Sequence, residues 1–438
     1  MHLDDHDLPL STASEEAAAH YREGVRLMLC AWPGAAERFE AALAADPGFA
    51  LAHAARARLH AMHAAPAEAR RQIETAASLV ARRGGAREQS HVAVLAQATG
   101  GQAKAALAGA LDHVSRWPRD VLILSLPLGA FGLFAFSGMA DHDQARVDLC
   151  ARYADRFEAD DWWFLASYGW ALAENGEVAR GRDMLERSVE LRRENANGVH
   201  ALAHAMFEAG AGEASDALIA GWLPAYDRSG LLHGHIAWHA ALTALERGDA
   251  QAALAIYRDK VGPAASQGLA INVVSDAASL LWRLDAYGHG APQELWAEAA
   301  AYARAAFPRP GHAFVDSHVA LIEAATGDRS ALSARIAALE AMVKTRHLAA
   351  GPVVPAICRG ALAFAEEDYA ACARILEPLA AEVARIGGSG AQREVIEDTL
   401  LLALIRSGET AKARALLNRR LHRRPSPRDT RWLAALAA

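Results

Sequence analysis

Short turn signals recur along this chain and separate long stretches that are rich in alanine and leucine. Most of them combine glycine with an acidic residue, as in Arg247-Gly248-Asp249 and Thr326-Gly327-Asp328. Glycine takes the left-handed conformation that ends a helix, and an acidic side chain favours the start of the next helix. Further signals are Asp46-Pro47-Gly48, Asn175-Gly176-Glu177, Gly210-Ala211-Gly212-Glu213 and Ser407-Gly408-Glu409. The pattern predicts consecutive pairs of helices.

These predicted helix pairs repeat about every 35–45 residues, which is the period of helical-repeat solenoids. Apolar residues make up 53% of the chain and aromatic residues only 7%, so small side chains must do most of the packing. Alternating strand patterns are nearly absent. We therefore predict an all-α fold, a degenerate TPR-like (tetratricopeptide-type) α-α superhelix. Irregular connections near 261–268 and 307–311 indicate an array that curls around a central cavity.

The domain organisation follows from the absence of a low-complexity linker. We expect one solenoid over residues 1–438, with weak seams near Asp160 and Gly351. Residues 1–12 are expected to be a flexible N-terminus. The longest apolar stretch, 121–136, is interrupted by proline and glycine and is too short to span a bilayer.

Cysteine usage and charge limit the compartment and the partners. The four cysteines form no CxxC pair and the acidic start is no signal peptide, so we expect a cytoplasmic protein. The net charge of −7 argues against a nucleic-acid partner. The basic stretch 419–424 is predicted to be a solvated helix end, with a binding patch as the alternative.

Histidines are concentrated in two windows with the same spacing. His200 and His204 are four residues apart in a segment that should be helical from about 196 to 209. His235 and His239 repeat that spacing on the next helix but one. Residues at i and i+4 share one helix face and can bind one metal ion. Because alternate helices of a repeat lie side by side, the two pairs can face each other.

Three further residues are candidates for the same site. Asp276 lies in an apolar helix, 271–284, and needs a buried partner, for which a histidine of the cluster is the obvious choice. Asp316 and His318 are two residues apart. If a helix begins at Asp316, the aspartate caps it and only His318 is a possible ligand; an irregular start would turn both inward. Glu208 could join the face of His204.

Other polar and aromatic residues have simpler interpretations. His233 is interpreted as a helix-entry or surface residue, and Arg87 with Glu88 as an ion pair or helix start. The tryptophans Trp162, Trp163 and Trp170 are interpreted as core packing, with a ligand-stacking wall as the alternative.

The motifs together resemble the tetratricopeptide repeat protein 38 family over about residues 15–420. The resembling segments are Val-His-Ala-Leu-Ala-His (199–204), His-Ile-Ala-Trp-His (235–239), Val-Val-Ser-Asp (273–276), Leu-Trp-Arg-Leu (281–284), Phe-Val-Asp-Ser-His (314–318), Arg87-Glu88 with His91, and Pro118-Arg119-Asp120. The resemblance implies a closed TPR-like solenoid. It also implies one site for the residues at the family's polar positions, namely His200, His204, His235, His239, Asp276, Asp316 and His318.

Three functions are compatible with this cluster. The first is an enzyme of hydrolase or lyase type, in which the seven residues act on a small polar ligand as acid and base or through Zn²⁺ or another divalent metal. The predicted metal ligands are His200, His204, His235, His239 and His318. The second is a scaffold for a protein partner. The third is a structural network that only joins repeats. Neither a membrane nor any other cofactor is expected, and the oligomeric state is not indicated.

Overall fold

The computed structural model describes residues 2–436, and this part of the chain is helical almost throughout. The first helices are α1 (Glu15–Leu29), α2 (Ala35–Ala45), α3 (Ala50–Met62), α4 (Pro66–Arg83), α5 (Ala86–Thr99), α6 (Ala103–Arg116), α7 (Val121–Leu128), α8 (His142–Tyr153), α9 (Trp162–Glu174), α10 (Val178–Leu191), α11 (Ala196–Glu208) and α12 (Gly212–Trp222). The others are α13 (His233–Arg247), α14 (Ala250–Ile256), α15 (Ala270–Ala286), α16 (Gln293–Ala306), α17 (Ala313–Ala325), α18 (Arg329–Lys344), α19 (Val353–Ala365), α20 (Tyr369–Leu376), α21 (Gly390–Arg406), α22 (Thr410–Arg423) and α23 (Pro427–Ala435). The predicted all-α class is confirmed.

Strand structure within residues 2–436 is limited to one short hairpin near the N-terminus. His2–Leu3 (β1) pairs antiparallel with Pro9–Leu10 (β2). Leu10 is buried at the end of this hairpin. The segment that the sequence predicts to be flexible therefore carries paired backbone and one core residue.

The chain forms two compact units, which we call unit 1 and unit 2. Unit 1 contains residues 2–134, 143–171 and 183–198. Unit 2 contains residues 135–142, 172–182 and 199–436. In unit 1, consecutive helices pack in pairs (α1 on α2, α3 on α4, α5 on α6), and α3 also packs against α5.

Unit 2 is a row of helix pairs. The first helix of each pair packs against the first helix of the next pair, in the order α13, α15, α17, α19 and α21. Each of these helices also packs against the helix that follows it in sequence. This is the helical-repeat arrangement that the sequence predicts. The row curls, because α15 also contacts α21 through a hydrogen bond from Trp282 Nε1 to Thr399 Oγ1 (2.9 Å). The central cavity remains a prediction.

The turn signals work largely as predicted. Gly248 ends α13 in the left-handed conformation (φ 86°), and the side chain of Asp249 then caps α14 by accepting the N–H of Ala252 (2.9 Å). The turn at Asp46 differs, because Gly48 is not left-handed there. Instead, the Asp46 carboxylate accepts the N–H of Gly48 (2.9 Å), so the side chain makes the turn.

The basic stretch 419–424 is not the solvated helix end that the sequence predicts. Arg420 and Arg424 are not solvated, since they are only 2% and 4% exposed. Arg420 donates to Asp429 (2.6 Å), Asp398 (2.8 Å) and Glu394 (2.9 Å), and Arg424 shares Glu394 at 2.8 Å. A buried guanidinium is tolerated when carboxylates pair with it, and this network joins α21, α22 and α23 in unit 2.

None of the described helices combines the length and the apolar character that crossing a membrane requires.

Candidate metal centre

Four histidines of unit 2 come from two helices with matching spacing. His200 and His204 lie on α11, while His235 and His239 lie on α13. Both pairs have the predicted i, i+4 relation, so each pair presents two imidazoles on one helix face. The helices begin at Ala196 and His233, close to the predicted starts. His233 is thus the helix-entry residue that the sequence suggests.

The four imidazoles form one compact group, which we call the histidine cluster. Ring centroids of His204 and His239 are 4.1 Å apart, and those of His200 are 4.6, 4.7 and 5.3 Å from His204, His235 and His239. One ligand atom from each residue lies within 4.8 Å of all the others. A tetrahedral zinc site needs about 3.3 Å between its ligand nitrogens. The cluster therefore fits a metal ion after the rings close by about 1 Å.

One histidine is oriented by the predicted aspartate. His235 Nδ1 donates to Asp276 Oδ2 at 2.8 Å, and both side chains are about 3% exposed. Asp276 lies on α15, the next helix along the row in unit 2. The prediction that a cluster histidine partners Asp276 is confirmed. A carboxylate on Nδ1 fixes the tautomer and leaves Nε2 as the metal-binding nitrogen.

A second carboxylate was missed by the sequence reasoning. Glu174 ends α9, and its Oε1 lies 3.3 Å from His204 Nδ1. Its Oε2 accepts the N–H of Gly390 (2.7 Å) at the start of α21. An acidic residue at the C-terminal end of a helix opposes the helix dipole, and that unfavourable position was the available signal.

Three of the four histidines, His200, His204 and His239, are neutral near pH 7. Burial, followed by the neighbouring histidines, holds the pKa values of His200 and His239 well below their ordinary value of 6.5. Burial also lowers the pKa of His204, with Glu174 opposing the shift. Neutral imidazole is the form that binds metal ions.

His239 bears most directly on whether the cluster can hold a ligand. The residue is 1% exposed, and neither ring nitrogen has a hydrogen-bond partner among residues 2–436. Burying a polar atom without a partner costs about 1–3 kcal/mol. An atom bound at the centre of the cluster would remove that cost.

The carboxylate of Asp316 has its partners outside the histidine cluster. Helix α17 begins at Ala313 rather than at Asp316, so the aspartate lies within the first turn. Its Oδ2 accepts the N–H groups of Gly311 and His312, both at 2.8 Å, and its Oδ1 pairs with Arg335. These contacts give Asp316 a structural role at the start of the helix.

His318 is not among the four residues whose ligand atoms lie within 4.8 Å of one another. Its Nδ1 donates to the carbonyl of Phe314 (2.8 Å), and its ring packs on that phenyl ring at 4.4 Å. Burial lowers its pKa to about 4. The structure thus brings together four of the five predicted metal ligands.

Glu208 lies one turn beyond His204 and is also outside this group of four. Burial raises its pKa to about 7, while Arg424 opposes the shift.

Unit 1 contains a second group of histidines, which we call the aspartate cluster. Asp120 Oδ2 accepts from Arg87 (2.8 Å), His91 Nδ1 (3.0 Å) and His113 Nε2 (3.1 Å), and all four residues are buried. Arg87 therefore pairs with Asp120 rather than with Glu88, whereas the alternative of a helix start is confirmed, because α5 begins at Ala86. His91, His113 and Asp120 also offer three possible metal ligands.

Two of the three tryptophans of α9 are core residues as predicted. Trp163 and Trp170 are buried at 4% and 5% exposure, whereas Trp162 is half-buried under the guanidinium of Arg192 (5.2 Å to the ring centroid).

No family model matches this chain. Among solved structures, the chain is similar to the crystal structure of yeast Tom70, with 11% identity and a TM-score of 0.30 over 96% of this chain and 95% of that one. It is also similar to the TPR domain of P58(IPK), with 14% identity and a TM-score of 0.21 over 90% of this chain and 99% of that one. These scores are too low to assign a function, and the helical-repeat fold rests on the helix pairing described above.

Proposed function

We propose that the histidine cluster binds one divalent transition metal ion, with Zn²⁺ as the first candidate. The observation that carries the proposal is His239, whose two buried ring nitrogens lie among three other imidazoles and have no hydrogen-bond partner in the described part of the chain. Imidazole ligands suit zinc, copper, nickel and iron rather than magnesium or calcium. Because burial lowers the pKa values of His200, His204 and His239, no proton has to leave these three residues before a metal binds near pH 7.

Asp276 and Glu174 would act as positioning residues for this metal. Each carboxylate lies next to Nδ1 of a different histidine, His235 or His204. Such carboxylate–histidine contacts orient the ring and raise its basicity as a ligand. The two helices α11 and α13 would each contribute one oriented and one less constrained imidazole.

We further propose that the metal binds a small polar ligand and supports hydrolase- or lyase-type chemistry. His200 is the most exposed member of the cluster, at 8%, so it marks the side from which a ligand would approach. A metal with three histidine ligands and one exchangeable position polarises an oxygen ligand and lowers the pKa of bound water. A metal bound by all four histidines would instead be closed and structural.

The metal proposal is tested by titrating chelator-stripped protein with Co²⁺ and recording its visible absorption. We expect a ligand-field band that saturates at one equivalent, and its loss in His239→Ala. His347→Ala, at an exposed position of the same unit, is the matched control and should keep the band. No saturable band in the folded wild-type protein would contradict the proposal.

The ligand proposal needs a second readout from the same sample. Azide added to the Co²⁺-loaded protein should change the absorption spectrum if one coordination position is exchangeable. A spectrum that is insensitive to azide would favour a closed site and the non-catalytic alternatives, either a structural network or a scaffold for a protein partner.

The finer assignment of family and compartment is also a proposal. Membership in the tetratricopeptide repeat protein 38 family is supported by the order of motifs around residues 199–204, 235–239 and 314–318. A cytoplasmic location is supported by the four cysteines, all of which are buried and unbridged.

A further inference from the structure

Unit 1 contains a cavity of about 300 Å³ between its N-terminal segment and α1. The walls come from the residues after β1, from one face of α1, from the segment that leads into α7 and from the segment that leads into α9. Small-molecule sites begin at about this volume. The cavity includes no residue of the histidine cluster, and it shares Asp120 with the aspartate cluster.

One buried side chain that lines this cavity, Tyr21, carries a hydroxyl group. Its ring packs on Phe49 (5.0 Å between centroids) and Phe39 (6.0 Å), and the residue is only 4% exposed. Tyr21 nevertheless lines the cavity, and its hydroxyl makes no hydrogen bond to another described residue. Burial, with nearby Asp120, raises the pKa of Tyr21 well above 10, so the group stays a neutral phenol.

The lining carries more negative than positive charge. It contains three arginines, Arg22, Arg26 and Arg119, and six carboxylates, Asp4, Asp5, Asp120, Glu158, Asp160 and Asp161. Two of the arginines pair with carboxylates that do not line the cavity, since Arg22 contacts Glu15 (2.9 Å) and Arg119 contacts Asp7 (3.1 Å).

Two of the lining carboxylates lack a cationic partner. Asp4 uses Oδ1 to accept the N–H groups of His6 and Leu8, both at 2.9 Å, and makes no ion pair with a described residue. Glu158 is exposed and likewise has no ion pair within the described chain. An anion would therefore meet uncompensated negative charge, whereas a cation would neutralise it.

The arrangement of these acids favours an organic cation over a metal ion as the ligand of the cavity. A metal site needs several ligand atoms that converge on one point. Within residues 2–436, only the histidine cluster and the group of His91, His113 and Asp120 bring three or more such atoms together. The other acids of the cavity are spread along its wall, which suits a larger ligand with several N–H donors.

We propose that this cavity binds a small organic cation that carries a primary ammonium group at each end. The N–H donors of the two ammonium groups are received by acceptors along the wall, namely the Tyr21 hydroxyl and the carboxylates of Asp4 and Glu158. The proposal does not depend on the metal centre, because every residue that lines the cavity belongs to unit 1.

Isothermal titration calorimetry with 1,4-diaminobutane tests the proposal. Butane-1,4-diol has the same length without charge and succinate has the opposite charge, so neither should bind. Tyr21→Phe removes only the hydroxyl and should weaken binding about tenfold or more, as expected for a hydrogen bond to a charged group. Tyr153→Phe alters a buried tyrosine of unit 1 outside the cavity and should bind like the wild type.

Two further variants test the charge of the cavity and its independence from the metal centre. Glu158→Gln lies at an exposed position and should weaken diamine binding even if Tyr21→Phe fails to fold. His239→Ala should bind the diamine normally, which keeps this result separate from the metal proposal. Equal heats for the diamine and the diol, wild-type affinity in both Tyr21→Phe and Glu158→Gln, or displacement of the diamine by one equivalent of Mg²⁺ would each overturn the proposal.

Discussion

The histidine cluster of unit 2 and the aspartate cluster of unit 1 use the same residue types in opposite arrangements. In the aspartate cluster a carboxylate lies at the centre, and Arg87, His91 and His113 surround it as donors. In the histidine cluster four imidazoles lie at the centre, and the carboxylates lie outside them. The first arrangement is neutralised by the protein itself, whereas the second brings one nitrogen of each imidazole within 4.8 Å of the others.

The pKa of Asp120 reflects its position at the centre of the aspartate cluster. Burial alone would raise the pKa of Asp120, but the neighbouring His91, His113 and Arg87 hold it well below its usual range. Arg87 supplies the positive charge that a metal would otherwise bring. The residue types alone would suggest a metal in both clusters, but the charge balance favours one only in unit 2.

The largest stability effect is expected where a buried charge loses its partner. Asp120→Ala leaves Arg87 buried at 9% side-chain exposure without its carboxylate. We expect a loss of about 3–5 kcal/mol in the free energy of unfolding of unit 1. Urea titration with hydrogen exchange in α5 and α6 measures it.

Asp112→Ala is the matched control for that change, because its pair with Arg116 is exposed. We expect a cost of about 0–1 kcal/mol there. If Asp120→Ala costs no more than Asp112→Ala, the aspartate cluster is not held together by paired charge.

Removing one imidazole from each cluster should change the Zn²⁺ affinity of the protein in one case and not in the other. His239→Ala should reduce Zn²⁺ affinity by at least about 100-fold, the upper end of what an outer-shell change costs. His91→Ala should leave Zn²⁺ affinity unchanged, since Arg87 already neutralises that site. Competition with a chromophoric chelator measures both. A comparable loss in the two variants would remove the distinction that we draw.

The outer carboxylates should matter less than the imidazoles. Asp276→Asn keeps the shape of the side chain but removes the charge next to His235 Nδ1. We expect Zn²⁺ affinity to fall about 10–100-fold while one equivalent still binds. Loss of stoichiometric binding would instead make Asp276 a direct ligand.

The smallest expected effect is a difference in acid sensitivity of the metal-free protein. His200 and His239 have pKa values below 6.5 in the folded chain, so below pH 6.5 the unfolded chain binds more protons. Unit 2 should therefore lose stability as the pH falls from 6.5. In unit 1, Asp120 has a folded pKa below 3.8, so its contribution is lost only as the pH falls below about 3.8. Burial also lowers the pKa of His113, but less than it lowers those of His200 and His239, so unit 1 should lose less stability than unit 2 below pH 6.5.

Hydrogen exchange between pH 7.5 and 5 measures that difference, with α13 as the reporter for unit 2 and α5 for unit 1. Protection of α13 should fall, and the fall should be smaller in His200→Gln/His239→Gln. Equal changes in α13 and α5 would contradict the assignment.

Local pattern explains what could be predicted of the site. The i, i+4 spacing of His200 with His204 needs only a helix, and helix periodicity is visible in the sequence. The partner of Asp276 could also be predicted, because a buried carboxylate in an apolar helix requires a donor. The helix pairs and the all-α class follow from turn signals such as Arg247-Gly248-Asp249.

The remaining contacts depend on packing between distant segments. Glu174 reaches His204 from another helix, and Asp316 pairs with Arg335 on the following helix. Arg420 is buried because three carboxylates from α21 and α23 surround it. A run of basic residues in sequence does not reveal such partners, so it was interpreted as a solvated helix end.

Metal content is the most direct measurement of the central claim. Untagged protein purified without chelator is analysed by elemental mass spectrometry, beside a His200→Ala/His239→Ala variant. The account predicts about one transition metal ion per chain in the wild type and none in the variant. A folded wild-type protein that contains no metal, and takes up none when Zn²⁺ is supplied, would contradict it.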